Sequence, residues 1–144
     1  MTASKLFQAA NIIALAGWIS LVASPVLPRL ADRMAGCIVP VLLSIAYTGL
    51  ILAFWSRGQG GFGSLAGVAQ LFQTPELLLA GWLHYLAFDL WIGAWQVRTA
   101  RREGLPSLLL VPCLPLTFLF GPVGLLAFLT LRRAMNWTRL ARAA

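Results

Sequence analysis

MAGCIVPVLLSIAYTGLILAFW, from Met34 to Trp55, contains no charged side chain. As an α-helix it would be long enough to cross the hydrocarbon core of a bilayer, roughly 30 Å thick. Three further windows are predominantly apolar over a similar length: Leu6 to Leu27, Leu77 to Val97 and Leu108 to Leu131. Together the four take up most of a 144-residue chain that is 60% hydrophobic and only 10% charged. Backbone groups in hydrocarbon must be paired within their own segment. The predicted fold class is therefore all-α, a polytopic membrane protein in which residues 1–144 form a single domain, a bundle of about four transmembrane helices. The connecting stretches, residues 28–33, 56–75 and 98–106, are too short for a soluble domain.

A net charge of +7 would point to nucleic acid in a soluble protein. Here the basic residues gather at helix ends, so the expected partners are membrane lipids with anionic headgroups, and no nucleic acid. With four full spans, Lys5, Arg57, Arg132, Arg133, Arg139 and Arg142 share one side, against Arg29, Arg33, Arg98, Arg101 and Arg102 on the other. That near balance gives the positive-inside rule no purchase. If the last segment dips in and returns by the same face, the split becomes nine against two, counting the same basic residues. That segment carries Pro112, Pro115, Gly121, Pro122 and Gly124. The spacing of Cys113, Thr117, Gly121 and Gly124 predicts a kinked spanning helix with a small-residue stripe, and the re-entrant alternative stays open.

Gln8 and Asn11 are foreign to a signal-peptide core, so the first window is expected to be a permanent helix. Cys37 and Cys113 have no spacing that suggests metal or redox work, and both are expected reduced and buried. The loop with Gly58, Gly60, Gly61 and Gly63 lacks a strand before it and a GK[ST] ending, so it reads as a connector rather than a phosphate cradle. Leu65, Val68, Leu71 and Phe72 could form one face of a short interfacial helix beyond it.

The third span holds the chemistry. It starts with Thr74 as N-cap, Pro75 at the first helical position and Glu76 behind it. At about 100° per residue, Trp82, Tyr85, Asp89, Ile92, Gly93 and Gln96 fall on one face. Asp89 lies near mid-span, where a carboxylate costs on the order of 2.5–3.5 kcal/mol, so it should face the bundle interior. No cation sits at that depth, so the carboxyl is expected neutral, able to donate a proton or a strong hydrogen bond. His84 stands roughly 140° around the helix with Phe88, Trp91 and Trp95, so the two cannot form a hydrogen-bonded dyad along one helix. Gln8, Asn11 and Trp18 on the first helix, Pro40, Ser44, Tyr47 and Trp55 on the second, and Thr117 on the fourth are expected to converge with Asp89 on an internal cavity. The bland alternative is a hydrogen-bonded core that only holds the bundle together.

Absences narrow the chemistry. One histidine rules out a multi-histidine di-iron site, and the one lysine, Lys5, lies at the edge of the first span, away from any retinal-like Schiff base. No G-x-S-x-G occurs. Neither a metal nor a cofactor is expected.

The run GWLHYLAFDL at Gly81 to Leu90, then Gly93, RREGLP at Arg101 to Pro106, PCL at Pro112 to Leu114 and LTFLFGPVGLL at Leu116 to Leu126 closely resembles the abscisic-acid-deficient-four family. The resemblance is strong over residues 76–131 and weaker over the first two helices. Plant members of that family are associated with neoxanthin synthesis, an isomerisation in which an epoxide of violaxanthin opens and an allene forms without net redox change. The resemblance therefore implies a carotenoid or other long apolar lipid as ligand, with acid–base chemistry and no redox cofactor. On the matching positions Asp89 becomes the candidate acid and His84 the candidate base. Trp82, Tyr85, Phe88 and Trp91, with Gln96, Asn11, Tyr47 and Thr117, become candidate ligand contacts. Arginine outnumbers lysine ten to one, as in GC-rich bacterial genomes, so a bacterial homologue in the cytoplasmic membrane is expected. A non-catalytic pigment-binding or assembly subunit, in a homo-oligomer or a membrane complex, is the alternative function.

Overall fold

The computed structural model describes residues 2–143, with side chains through residue 135, and every regular element among them is helical. Six helices follow in order: α1 (Ala3–Val22), α2 (Pro28–Arg57), α3 (Leu65–Leu71), α4 (Pro75–Arg102), α5 (Leu110–Phe120) and α6 (Pro122–Ala143). Three of them, α1, α2 and α4, are long and apolar enough to cross a membrane. The expected link at 28–33 is instead the first part of α2, because Pro28 starts the helix and a π-helical turn, Met34–Ile38, carries it onward.

α4 is the most buried of the three spans and the axis of the bundle. α1 runs alongside it in the same direction: Phe7 meets Trp82 with ring centroids 5.6 Å apart, and Trp18 packs against Gly93. A Cβ at Gly93 would stand 2.8 Å from the Trp18 indole, so the missing side chain is what lets the two helices close. α2 runs the other way, with Gly36 facing Ala94 and Arg98, and Tyr47 facing His84. Small residues make the approach: Ala10 and Ala14 on α1, Ala35 on α2, and Ala80, Ala87 and Ala94 on α4 are all buried.

The fourth window does not cross as one kinked helix; it takes the re-entrant alternative. α5 has 11 residues, or about 16 Å, near half of a hydrocarbon core. It stops at Gly121, whose φ of 27° lies where a side chain is strained, and Pro122 starts the next helix. α6 then returns along α5. Thr117 faces Gly124, Phe128 is fully buried beside Cys113 and Leu109, and Arg132 pairs with Glu103 at the end where the segment began. The predicted stripe of Cys113, Thr117, Gly121 and Gly124 therefore lines the inside of a hairpin rather than one face of one helix. Arg29, Arg33, Arg98, Arg101, Arg102, Arg132 and Arg133 consequently collect at one end, against Lys5 and Arg57 at the other.

Of the cysteines, Cys113 is buried as expected, whereas Cys37 lies exposed in the π-helical turn, and both are free thiols.

Candidate functional site

The polar face of α4 is divided among three separate neighbourhoods. Near the start of the helix, Trp82 donates its indole N–H to Asn11 Oδ1 at 3.3 Å, and Asn11 donates to the Phe7 carbonyl at 2.7 Å. Trp82 also lies 5.2 Å from Tyr85, ring to ring. Near the other end, Gln96 is fully buried and donates to Thr117 Oγ1 at 3.0 Å and to the Gly124 carbonyl at 3.3 Å. Thr117 shares its hydroxyl between the Cys113 carbonyl, at 2.8 Å, and Gln96 Oε1, at 3.2 Å. Those bonds sew both arms of the hairpin to α4. Gln96 and Thr117, expected as ligand contacts, have their polar atoms committed to the fold.

Between the two lies Asp89. It is 7% exposed, faces protein rather than lipid, and its Oδ2 has no hydrogen-bond partner among the described residues. The hydroxyl of Tyr85, one turn earlier, is shared between the carboxyl and the Phe118 carbonyl, to which it donates at 3.1 Å. None of the neutral partners expected from the other helices reaches Asp89. Asn11 is taken by Trp82, Thr117 by Gln96, Tyr47 stands on the far side of α4, and Ser44 is exposed. What covers Asp89 is the helix break, since a Cβ at Gly121 would lie 2.8 Å from Oδ2. Phe118, on the last turn before the break, meets Trp18 edge-on at 5.3 Å and adds another aromatic wall. Asp89 thus lies between Tyr85 on its own helix and the Gly121 break, flanked by two aromatic groupings, Phe7–Trp82–Tyr85 and Trp18–Phe118.

His84 belongs elsewhere. It is exposed, stacks on Phe88 at 4.5 Å, faces Tyr47 at 6.0 Å, and borders a cavity of about 620 Å³ with Trp55, Phe72 and Gly81. The loop helix α3 helps to close that cavity through Leu71 and Phe72, with Ser64 as its N-cap accepting from the Gly67 amide at 3.0 Å. Trp91 is 47% exposed and Phe88 54%, both turned outward. The polar stripes of the four windows therefore do not meet in one cavity; α4 stands between its Asp89 side and its His84 side.

Sequence reasoning missed Gly121 as the cover of Asp89, and Phe7 and Phe118 as the ring partners of Trp82 and Trp18. Signals existed: Gly121-Pro122 is a helix-breaking pair, and Phe7 precedes Asn11 by one turn on the same face.

A buried carboxyl with one oxygen unpartnered, close to aromatic rings, can give a proton to, or exchange a hydrogen bond with, a single oxygen on an apolar ligand. Among the described residues no three His, Cys, Asp or Glu side chains come together in a way that would hold a metal ion. No curated protein and no solved structure matches the chain. A family model described as ABA DEFICIENT 4-like matches residues 5–128. Since that match runs from the first span into the returning arm of the hairpin, and so takes in Asp89 together with the helix break that covers it, this chain is a member of the ABA DEFICIENT 4-like family.

Proposed function

We propose that this membrane protein binds a carotenoid or a similar long apolar lipid against α4 and isomerises it by acid–base chemistry, with Asp89 as the proton donor. The observation that carries the reading is the buried Asp89 Oδ2 without a partner, next to a helix break. A carboxyl left unsatisfied in hydrocarbon is costly, and a ligand oxygen would satisfy it. The polyene lies along Trp82, Tyr85 and Phe118, and its oxygenated end group meets Asp89. Proton transfer to an epoxide oxygen accompanies cleavage of one C–O bond. A proton lost from the adjacent carbon to a base completes an isomerisation with no electrons gained or lost.

The base is the open element. His84 fills that role only for a ligand that reaches around α4, because it lies on the other side of the helix from Asp89. That separation favours a second reading, a subunit that binds pigment or lipid without converting it. In either case the reading places the arginine-rich end on the cytoplasmic side, the orientation that the positive-inside rule favours.

Expression in a carotenoid-producing host, followed by mass analysis of the pigments, tests both. Catalysis predicts a new pigment of unchanged mass in the presence of the wild-type chain and its loss in Asp89→Asn. Pigment that copurifies with the protein and is chemically unaltered would establish the binding reading instead.

A further inference from the structure

A second cavity, of about 690 Å³, opens between α1, α4 and α5 at the arginine-rich end of the bundle. Its volume is in the range of ordinary small-molecule sites, roughly 300–1,000 Å³. The lining changes character along the direction of the helices. Val97 on α4 with Leu110 and Leu114 on α5 supply apolar wall along the helices, whereas Ser24, Arg101 and Ser107, at the helix ends, supply the polar groups. Apolar walls that end in hydroxyls and a guanidinium match a ligand with a hydrocarbon chain and an anionic head. Arg101 already holds Asp32 through one terminal nitrogen. A guanidinium carries five N–H donors in a planar fork, so the carboxylate leaves others for phosphate oxygens. Arg29, Arg33, Arg98 and Arg102 at the same end add a positive field that draws anions to the mouth.

We propose that this cavity is a specific site for an anionic phospholipid, with an acyl chain between α1 and α5 and the phosphate on Arg101. Asp89 is not among the residues that line the cavity, and the site stands whichever way the pigment experiment falls. A lipid seated there would bridge α1 to the start of the fold-back hairpin.

The test follows thermal unfolding of the purified full chain in neutral detergent, with each variant's shift taken from its own lipid-free midpoint. Phosphatidylglycerol at a hundredfold excess over its dissociation constant is expected to raise the midpoint by roughly 5 °C. Phosphatidylcholine with the same acyl chains, and inorganic phosphate, should leave it unmoved. Val22→Trp carries an indole into the apolar part while keeping every charge, and should abolish the shift. Asp32→Asn with Arg101→Gln removes the guanidinium without stranding its partner, and should do the same. Arg29→Gln, outside the cavity, should keep it. Equal shifts with the two lipids, a shift produced by phosphate alone, survival of the shift in Val22→Trp or the double variant, or its loss in Arg29→Gln would each overturn the proposal.

Discussion

Gly121 lies over Asp89 so closely that a Cβ at position 121 would stand 2.8 Å from the carboxyl Oδ2. The contact joins a break in one helix to the one carboxylate at mid-span of another. It fixes the surroundings of Asp89, because the missing side chain leaves room for the carboxyl and the backbone turn closes over it.

Gly121→Ala should therefore be costly twice over. Its φ of 27° strains any side chain, and the added methyl meets the carboxyl. A loss of about 1–3 kcal/mol is expected. Thermal unfolding in detergent measures it, and a variant as stable as wild type would show that the turn is not held against Asp89.

Asp89→Asn should leave the unfolding midpoint unchanged or higher, since Oδ2 gives up no hydrogen bond and the amide removes an ionisable group from the bundle interior. Pigment conversion or binding should fall at least tenfold. A structural aspartate behaves in the opposite order, with stability lost first; that result would move Asp89 out of the site.

Gln96→Leu is expected to be the damaging substitution on α4. It removes the bonds from Gln96 to Thr117 Oγ1 and to the Gly124 carbonyl, leaving Thr117 with the Cys113 carbonyl alone, at a cost of about 0.5–1.5 kcal/mol for each bond lost. Hydrogen exchange should then show the hairpin opening before α1, α2 and α4. Uniform exchange across all the helices would mean that Gln96 does not clamp the hairpin.

The fold-back makes a topological prediction. In a background with Cys37 and Cys113 replaced by Ala, single cysteines at Gly104 and Arg133 should label from one and the same side only, and one at Gly61 from the opposite side only. Labelling of positions 104 and 133 from opposite sides would restore a fourth span.

Class and secondary structure were legible in the sequence because each rests on local chemistry. Long apolar runs in hydrocarbon have no backbone partner but their own, so helices follow from composition and length. Asp89 at mid-span was equally legible, and its helical phase placed His84 on a different face before any packing was known. The course of the fourth window was not. Gly121 and Pro122 permit a kink as readily as a reversal, and the local sequence is the same for both. The outcome depends on Gln96 reaching Thr117 and Gly124, on Phe128 filling the space beside Cys113, and on Arg132 meeting Glu103. Nor could the pattern of polar residues say which would find partners. Asn11, Thr117 and Gln96 have donors and acceptors that neighbouring helices satisfy, so tertiary packing spends them on the fold, whereas Asp89 meets a glycine and keeps an oxygen free. Local chemistry determined what this chain is made of, and contacts between distant segments decided which of its polar groups remain available for a ligand.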